Sequence, residues 1–144
     1  MRIRDLINAI IIAEEIKLRN EEKVKETVKE WRSYFRHIGR IEVKGSSDVV
    51  KIDGEKVVIE EIVMKVNSPN FSINLEYPSG VFSKSYEELS KLSPSSKTID
   101  AFEDAEDGTY VIALHDLSFN GSVKISLTGD VTVLYGFVKY RVYM

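Results

Sequence analysis

Two periodicities divide the chain. Between residues 3 and 38 there is no Pro or Gly, and Val24, Val28, Trp31, Phe35 and Ile38 recur at a 4-3-4-3 spacing. That spacing predicts the seam of a coiled coil or of a helix docked in a groove. Gly39 follows where a helix C-cap glycine belongs. Glu21 with Lys25, and Glu26 with Lys29, support a solvated opposite side. Run backward, the same frame meets Glu21, Lys17 and Glu14 before it reaches Ile10, Ile7 and Ile3, so the seam breaks. Two forms fit. One is a kinked helix whose stripe shifts through Ile10, Ala13, Ile16, Asn20 and Val24. The other is two helices, the second capped by Asn20.

From Ile41 onward the pattern alternates. Ile41 and Val43 lead to an expected turn at Gly45, Ser46 and Ser47, and Val49, Val50 and Ile52 run to a hairpin signal at Asp53-Gly54. In 57–66 the apolar phase slips: Val57 and Ile59 are odd, whereas Ile62, Met64 and Val66 are even, which places a bulge at Glu60-Glu61. Phe71, Ile73, Leu75 and Tyr77 alternate with polar residues as a half-buried strand. Ser85 and Glu88 form a capping box for a short helix from Tyr86 to Leu92, and 97–102 reads as a short edge strand. Thr109–His115, Ser122–Thr128 and Val131–Tyr143 read as three more strands, separated at Asp116–Gly121 and Gly129-Asp130, with a second phase slip at Gly136. About eight strands at this spacing predict an antiparallel β-sandwich, jelly-roll-like because two strands bend at mid-length. The expected organisation is a helical oligomerisation segment over 1–39 and a sandwich domain over 40–144.

Composition narrows the chemistry. The 144 residues include no Cys and two His, which excludes disulfide scaffolds, thiol catalysis and multi-histidine metal centres. The net charge of -3 divides into +3 over residues 1–40 and -6 over 41–144. An acidic β region repels phosphate backbones, so no nucleic-acid partner is expected. The absence of Gln beside fifteen Glu and thirteen Lys leans toward a thermophilic source. The apolar run from Leu6 to Ala13 is interrupted by Asn8 and too short for a signal peptide or a membrane span. Cytoplasmic synthesis and no membrane insertion are therefore expected.

Candidate sites are sparse. Asp100, Glu103, Asp104, Glu106 and Asp107 could offer oxygen ligands, and Asp104, Glu106 and Asp107 are the candidate calcium loop, without EF-hand spacing. The ordinary reading of this stretch is a solvated acidic turn. His115 beside Asp116 has no nucleophile elbow near it, and His37 reads as a cation in a helix's last turn. Glu60 and Glu61, as neighbours on a strand, are expected on opposite faces and so cannot form a facing acid–base pair. Tyr135, Phe137, Tyr140 and Tyr143, mixed with Lys139 and Arg141, could stack on sugars or bases but read first as structural. No cofactor signature occurs.

The helical lead-in and the β region ending in Asp107–Asp116 resemble viral jelly-roll appendage and capsid-associated proteins. That resemblance implies a trimeric or higher assembly on a virion or similar particle. The run Ile10, Ile11 and Ile12 covers more than half a helix circumference and calls for several neighbours. The expected function is thus a non-enzymatic structural or assembly protein, a homo-oligomer with a trimer favoured, joined through Ile10, Val24, Val28, Trp31 and Phe35. The alternative is a carbohydrate- or ligand-binding module that meets a glycan or protein receptor.

Overall fold

In the computed structural model, residues 29–144 are described. They form eight strands and one short helix. The strands are β1 (Trp31–Ile38), β2 (Ile41–Ile52), β3 (Lys56–Val66), β4 (Phe71–Tyr77) and β5 (Gly80–Ser85), then β6 (Ile99–Asp104), β7 (Thr109–Phe119) and β8 (Val123–Tyr143). The helix α1 (Tyr86–Leu92) lies between β5 and β6 and runs into a 3-10 turn at Ser93–Ser95. All strands belong to one antiparallel sheet coiled into a half-barrel.

The 21-residue β8 organises this sheet. On one side it pairs first with β2 and then with β1; on the other it pairs first with β4 and then with β3. Beyond β4 lies β5, and beyond β3 lie β7 and β6. Ile52 pairs with Val123 and Lys56 with Tyr143, so the three residues Asp53 to Glu55 join strands that lie at opposite ends of β8. Straight, β8 would span about 70 Å, yet this link holds its ends within about 25 Å of each other. The strand must therefore coil, and hydrogen bonds from Glu55 N to Tyr143 O (3.0 Å) and Gly54 N to Ser122 Oγ (3.3 Å) hold the closure.

Coiling is written into the bulges. Val66 pairs with Val133 but Lys65 with Tyr135, so Leu134 is the extra residue and the phase slip beside Gly136 is a bulge, as expected. A second shift, between Ile59 and Glu61 against β8, is the one expected at Glu60-Glu61. Buried Val57, Ile59, Ile62, Met64 and Val66 then meet Ile73, Leu75, Ile125 and Leu127 in one core. Burying each such side chain is worth about 1.5–3 kcal/mol. The seam between the two wings, β4–β5 and β6–β7, is covered at one end by α1: Tyr86 lies 5.7 Å from Phe71 and 5.4 Å from Tyr110, ring to ring. The expected capping box is present, with Glu88 N donating to Ser85 Oγ (3.1 Å) and Ser85 N to Glu88 Oε1 (3.3 Å).

Several expectations are corrected. A two-sheet sandwich behind a helical segment is replaced by one continuous sheet, and the only helical residues among those described are Tyr86–Leu92 and Ser93–Ser95. Trp31–Ile38, expected as the end of a helix, is a strand with eight ladder pairs to β8. Its 4-3 spacing coexists with alternation, Trp31, Ser33, Phe35 and His37 against Arg32, Tyr34, Arg36 and Ile38. Aromatic residues on both faces favour the strand once β8 offers a partner. Gly39 accordingly joins two strands instead of capping a helix. The readings of residues 1–28 as helix, and of Ile10, Val24 and Val28 as seam positions, lie outside the described residues. Gly45 and Gly129, both expected in turns, face each other in continuous strands and absorb the bend. Asp53-Gly54 makes no hairpin, because β2 and β3 flank opposite sides of β8. Strand β5 was not anticipated.

The closest approach is at Gly136, where a Cβ would lie 2.2 Å from the carbonyl oxygen of Val63 on the neighbouring strand. Gly136→Ala should therefore lower unfolding free energy in urea by about 1–3 kcal/mol. Gly39→Ala, whose Cβ meets nothing within 4 Å, should leave the midpoint nearly unchanged.

Candidate functional site

Three places on the half-barrel hold chemistry above the background, and the first is the outer face of β1 and β8. The ladder sets Trp31 opposite Tyr143, Ser33 opposite Arg141, Phe35 opposite Lys139 and His37 opposite Phe137. Trp31 and Tyr143 rings lie 5.4 Å apart, Phe35 stacks on Phe137 at 5.3 Å, and the Arg141 guanidinium carbon sits 5.4 Å from the Trp31 ring centre. These rings are not covered by the fold: Trp31 is 44%, Phe35 57% and Tyr135 55% exposed. On the other face of β1, Tyr34 stacks on Tyr140 at 5.3 Å, and Arg36 donates to the Tyr140 hydroxyl at 2.9 Å.

A charged row crosses the sheet from these rings. The bulge in β3 leaves both Glu60 and Glu61 between buried Ile59 and Ile62, so they project from the same side of the sheet, away from the core. This corrects the expectation of opposite faces; period-two alternation fails at a bulge. Glu60 Oε1 lies 2.9 Å from Arg141 Nε, off the line of its N–H, and Oε2 lies 3.5 Å from Lys139 Nζ. Glu61 Oε1 is 4.0 Å from His115 Nδ1, and His115 Nε2 is 3.1 Å from Asp100 Oδ2. Each carboxylate thus faces its own nitrogen partner, the geometry of cross-strand pairing.

The second place is a cavity of about 390 Å³ in the seam between the wings, lined from β4–β5 by Leu75, Tyr77 and Phe82 and from β7 by Leu114, Leu117 and Phe119. Asp116, with φ of 54°, makes it possible. Leu114 faces the core; the left-handed residue shifts the phase so that Leu117 faces it too, opposite Ile59. Sequence reasoning missed this site because it ended the strand at His115 and read Asp116–Gly121 as loop. The signal was present in the alternation of Leu117, Ser118 and Phe119.

The third is the acidic turn. Lys65 Nζ lies 3.1 Å from Asp104 Oδ2 and 3.0 Å from Asp107 Oδ2, so an ammonium already sits between the two carboxylates of the candidate calcium loop. The main chain closes around them: Gly108 N donates to Asp104 O, Glu106 N to Asp104 Oδ1 and Thr109 N to Asp107 Oδ1. Glu106 itself is exposed. Among the described residues no group of three or more acidic or His side chains is arranged to hold a metal ion. The hydroxyl of Thr109, then the Lys65 ammonium and last the Thr109 amide, hold the Asp107 carboxyl below the ordinary range, while the two aspartates push Lys65 upward.

Of the residues singled out from sequence, Trp31, Phe35, His37, Phe137, Tyr143, Lys139 and Arg141 come together on one face, and Asp104 and Asp107 meet at Lys65. Tyr140 lies in the core, with its hydroxyl on Arg36. Among the described residues no helix is long and apolar enough to cross a membrane. No protein-family model matches this chain, and no curated protein matches it in sequence.

A carboxyl depressed by folding stabilises the native state above its unfolded value, near pH ~4, and that stabilisation is lost as pH falls through the native value. Lys65→Met should therefore lower the melting temperature by a few degrees at pH 7. The gap to wild type should shrink as the solution is acidified below the ordinary Asp range, and a gap independent of pH would disprove the lock.

Proposed function

We propose that this chain is a non-enzymatic assembly protein whose sheet domain joins sister chains through the outer face of β1 and its edge. The observation that carries this reading is the exposure of Trp31, Phe35 and Tyr135 on an edge strand and its neighbour. Among the described residues β1 and β2 pair with β8 alone, and no other described strand lies along the edge from Trp31 to Ile52. Open edges of this length are templates for strand addition unless they are blunted. The other two edges, β5 and β6, are six residues each.

Charge favours a second copy as the occupant. Residues 31–41 hold three Arg and one His with no acid, whereas 41–144 carry -6. A basic, aromatic strip on one copy complements the acidic sheet domain of the next. A contact between two unlike surfaces is heterologous and generates rings or filaments, which suits a component of a larger particle. A trimer is the smallest ring this rule allows beyond a pair.

Light scattering over a concentration series should give a mass above the 16.4 kDa of one chain, falling as salt screens the complementary charges. Replacing Trp31 and Phe35 together by Thr, which keeps strand propensity, should return the monomer with a cooperative melt. A double variant of unchanged mass, or a wild type monomeric at every concentration, would overturn the reading.

A further inference from the structure

The cavity between the wings has the composition of a binding site for an uncharged, largely apolar small molecule, and we infer that this is what it takes. The inference stands apart from the assembly reading, since the cavity opens on the core side of β4 and β7 and shares no residue with the β1 strip. Its floor is Leu75 and Leu114, which are 2% and 1% exposed. Its walls are the half-buried Tyr77, Phe82, Ile99, Leu117 and Phe119, with Tyr77 and Phe119 rings 5.2 Å apart. Around these stand neutral polar residues: half-buried Thr98 and exposed Ser79, Ser118 and Asn120.

Size, polarity and rigidity each restrict the ligand. The volume, about 390 Å³, lies within the ~300–1,000 Å³ of small-molecule sites. No Asp, Glu, Lys, Arg or His lines it, in a chain where charged residues make up 30%. A charged ligand would lose its hydration there without gaining a counter-ion. The ligand class is therefore an aromatic or aliphatic body that ends in a neutral hydrogen-bonding group, such as an alcohol or amide.

The site is also preformed. The two loops at its mouth, after β4 and after β7, touch where Gly121 approaches Pro78: a Cβ on Gly121 would lie 2.5 Å from Pro78 Cγ, and Gly121 has φ of 144°. On the β6 side, His115 N donates to Thr98 O at 2.8 Å, and Thr98 N to Ser96 Oγ at 3.1 Å. A ligand meeting walls already in place is spared the cost of ordering them.

The probe is N-phenyl-1-naphthylamine, an uncharged fluorophore. Titrated into the intact chain, it should brighten saturably at one probe per chain. 1-Decanol should displace it at least tenfold more effectively than decanoate or decylammonium, the same body with a charged end. Leu117→Trp, which fills the cavity, should weaken binding at least tenfold, while the Trp31→Thr/Phe35→Thr pair should keep it. If Leu117→Trp fails to fold, Thr98→Trp blocks the site from the β6 side. Absence of saturable binding, unchanged binding in a folded blocking variant, or equal displacement by the charged competitors would overturn the inference. Loss of binding only in the Trp31/Phe35 pair would also overturn it, by assigning the probe to the β1 strip.

Discussion

The double-sided pairing of β8 is the constraint on which the rest of the structure depends. Four strands hydrogen-bond to it, two along each side, so its backbone donors and acceptors are satisfied by neighbours and not by solvent. The three-residue link between β2 and β3 then forces both ends of that strand together. A flat sheet cannot satisfy both conditions. Coiling satisfies them, and it brings Ile59, Ile62 and Met64 on one part of the sheet against Ile73, Leu75 and Leu127 on another.

The two surfaces of the coiled sheet have different consequences. The inner surface is filled except in the seam, where the wings β4–β5 and β6–β7 face each other without pairing. Tyr86 and Leu89 of α1 occupy one end of that seam, and the cavity lies toward the other. The outer surface cannot bury its aromatic residues within the half-barrel, because Trp31, Phe35 and Tyr135 lie on strands whose other face already supplies Ile38, Val138 and Tyr140 to the core. Bulges multiply these outward positions by placing two consecutive residues, Glu60 and Glu61, on the same side.

Charge arranges this surface more than it stabilises it. The ion pairs linking Lys65, Lys124, Lys139 and Arg141 to carboxylates are partly solvated, and exposed pairs contribute about 0–1 kcal/mol each. A single buried isoleucine outweighs most of them. What the charges do set is sign and position: β1 is basic and the remainder of the sheet domain acidic.

Strand periods, both phase slips and the capped helix at Tyr86–Leu92 were legible in the sequence, because alternation and capping are local and Val57 to Val66 or Ser85 to Glu88 report them directly. The state of Trp31–Ile38 was not, since its apolar residues satisfy a helical and a strand period together and only the β8 ladder breaks the tie. Turn residues misled for a similar reason: Gly45 and Gly129 carry turn chemistry, yet each faces the other across a continuous ladder. The cavity and the seat of Lys65 between Asp104 and Asp107 were decided by tertiary structure alone. Each joins residues dozens of positions apart, or turns on one left-handed residue at Asp116, and no periodicity along a chain encodes which strands a long coiled neighbour will bring face to face.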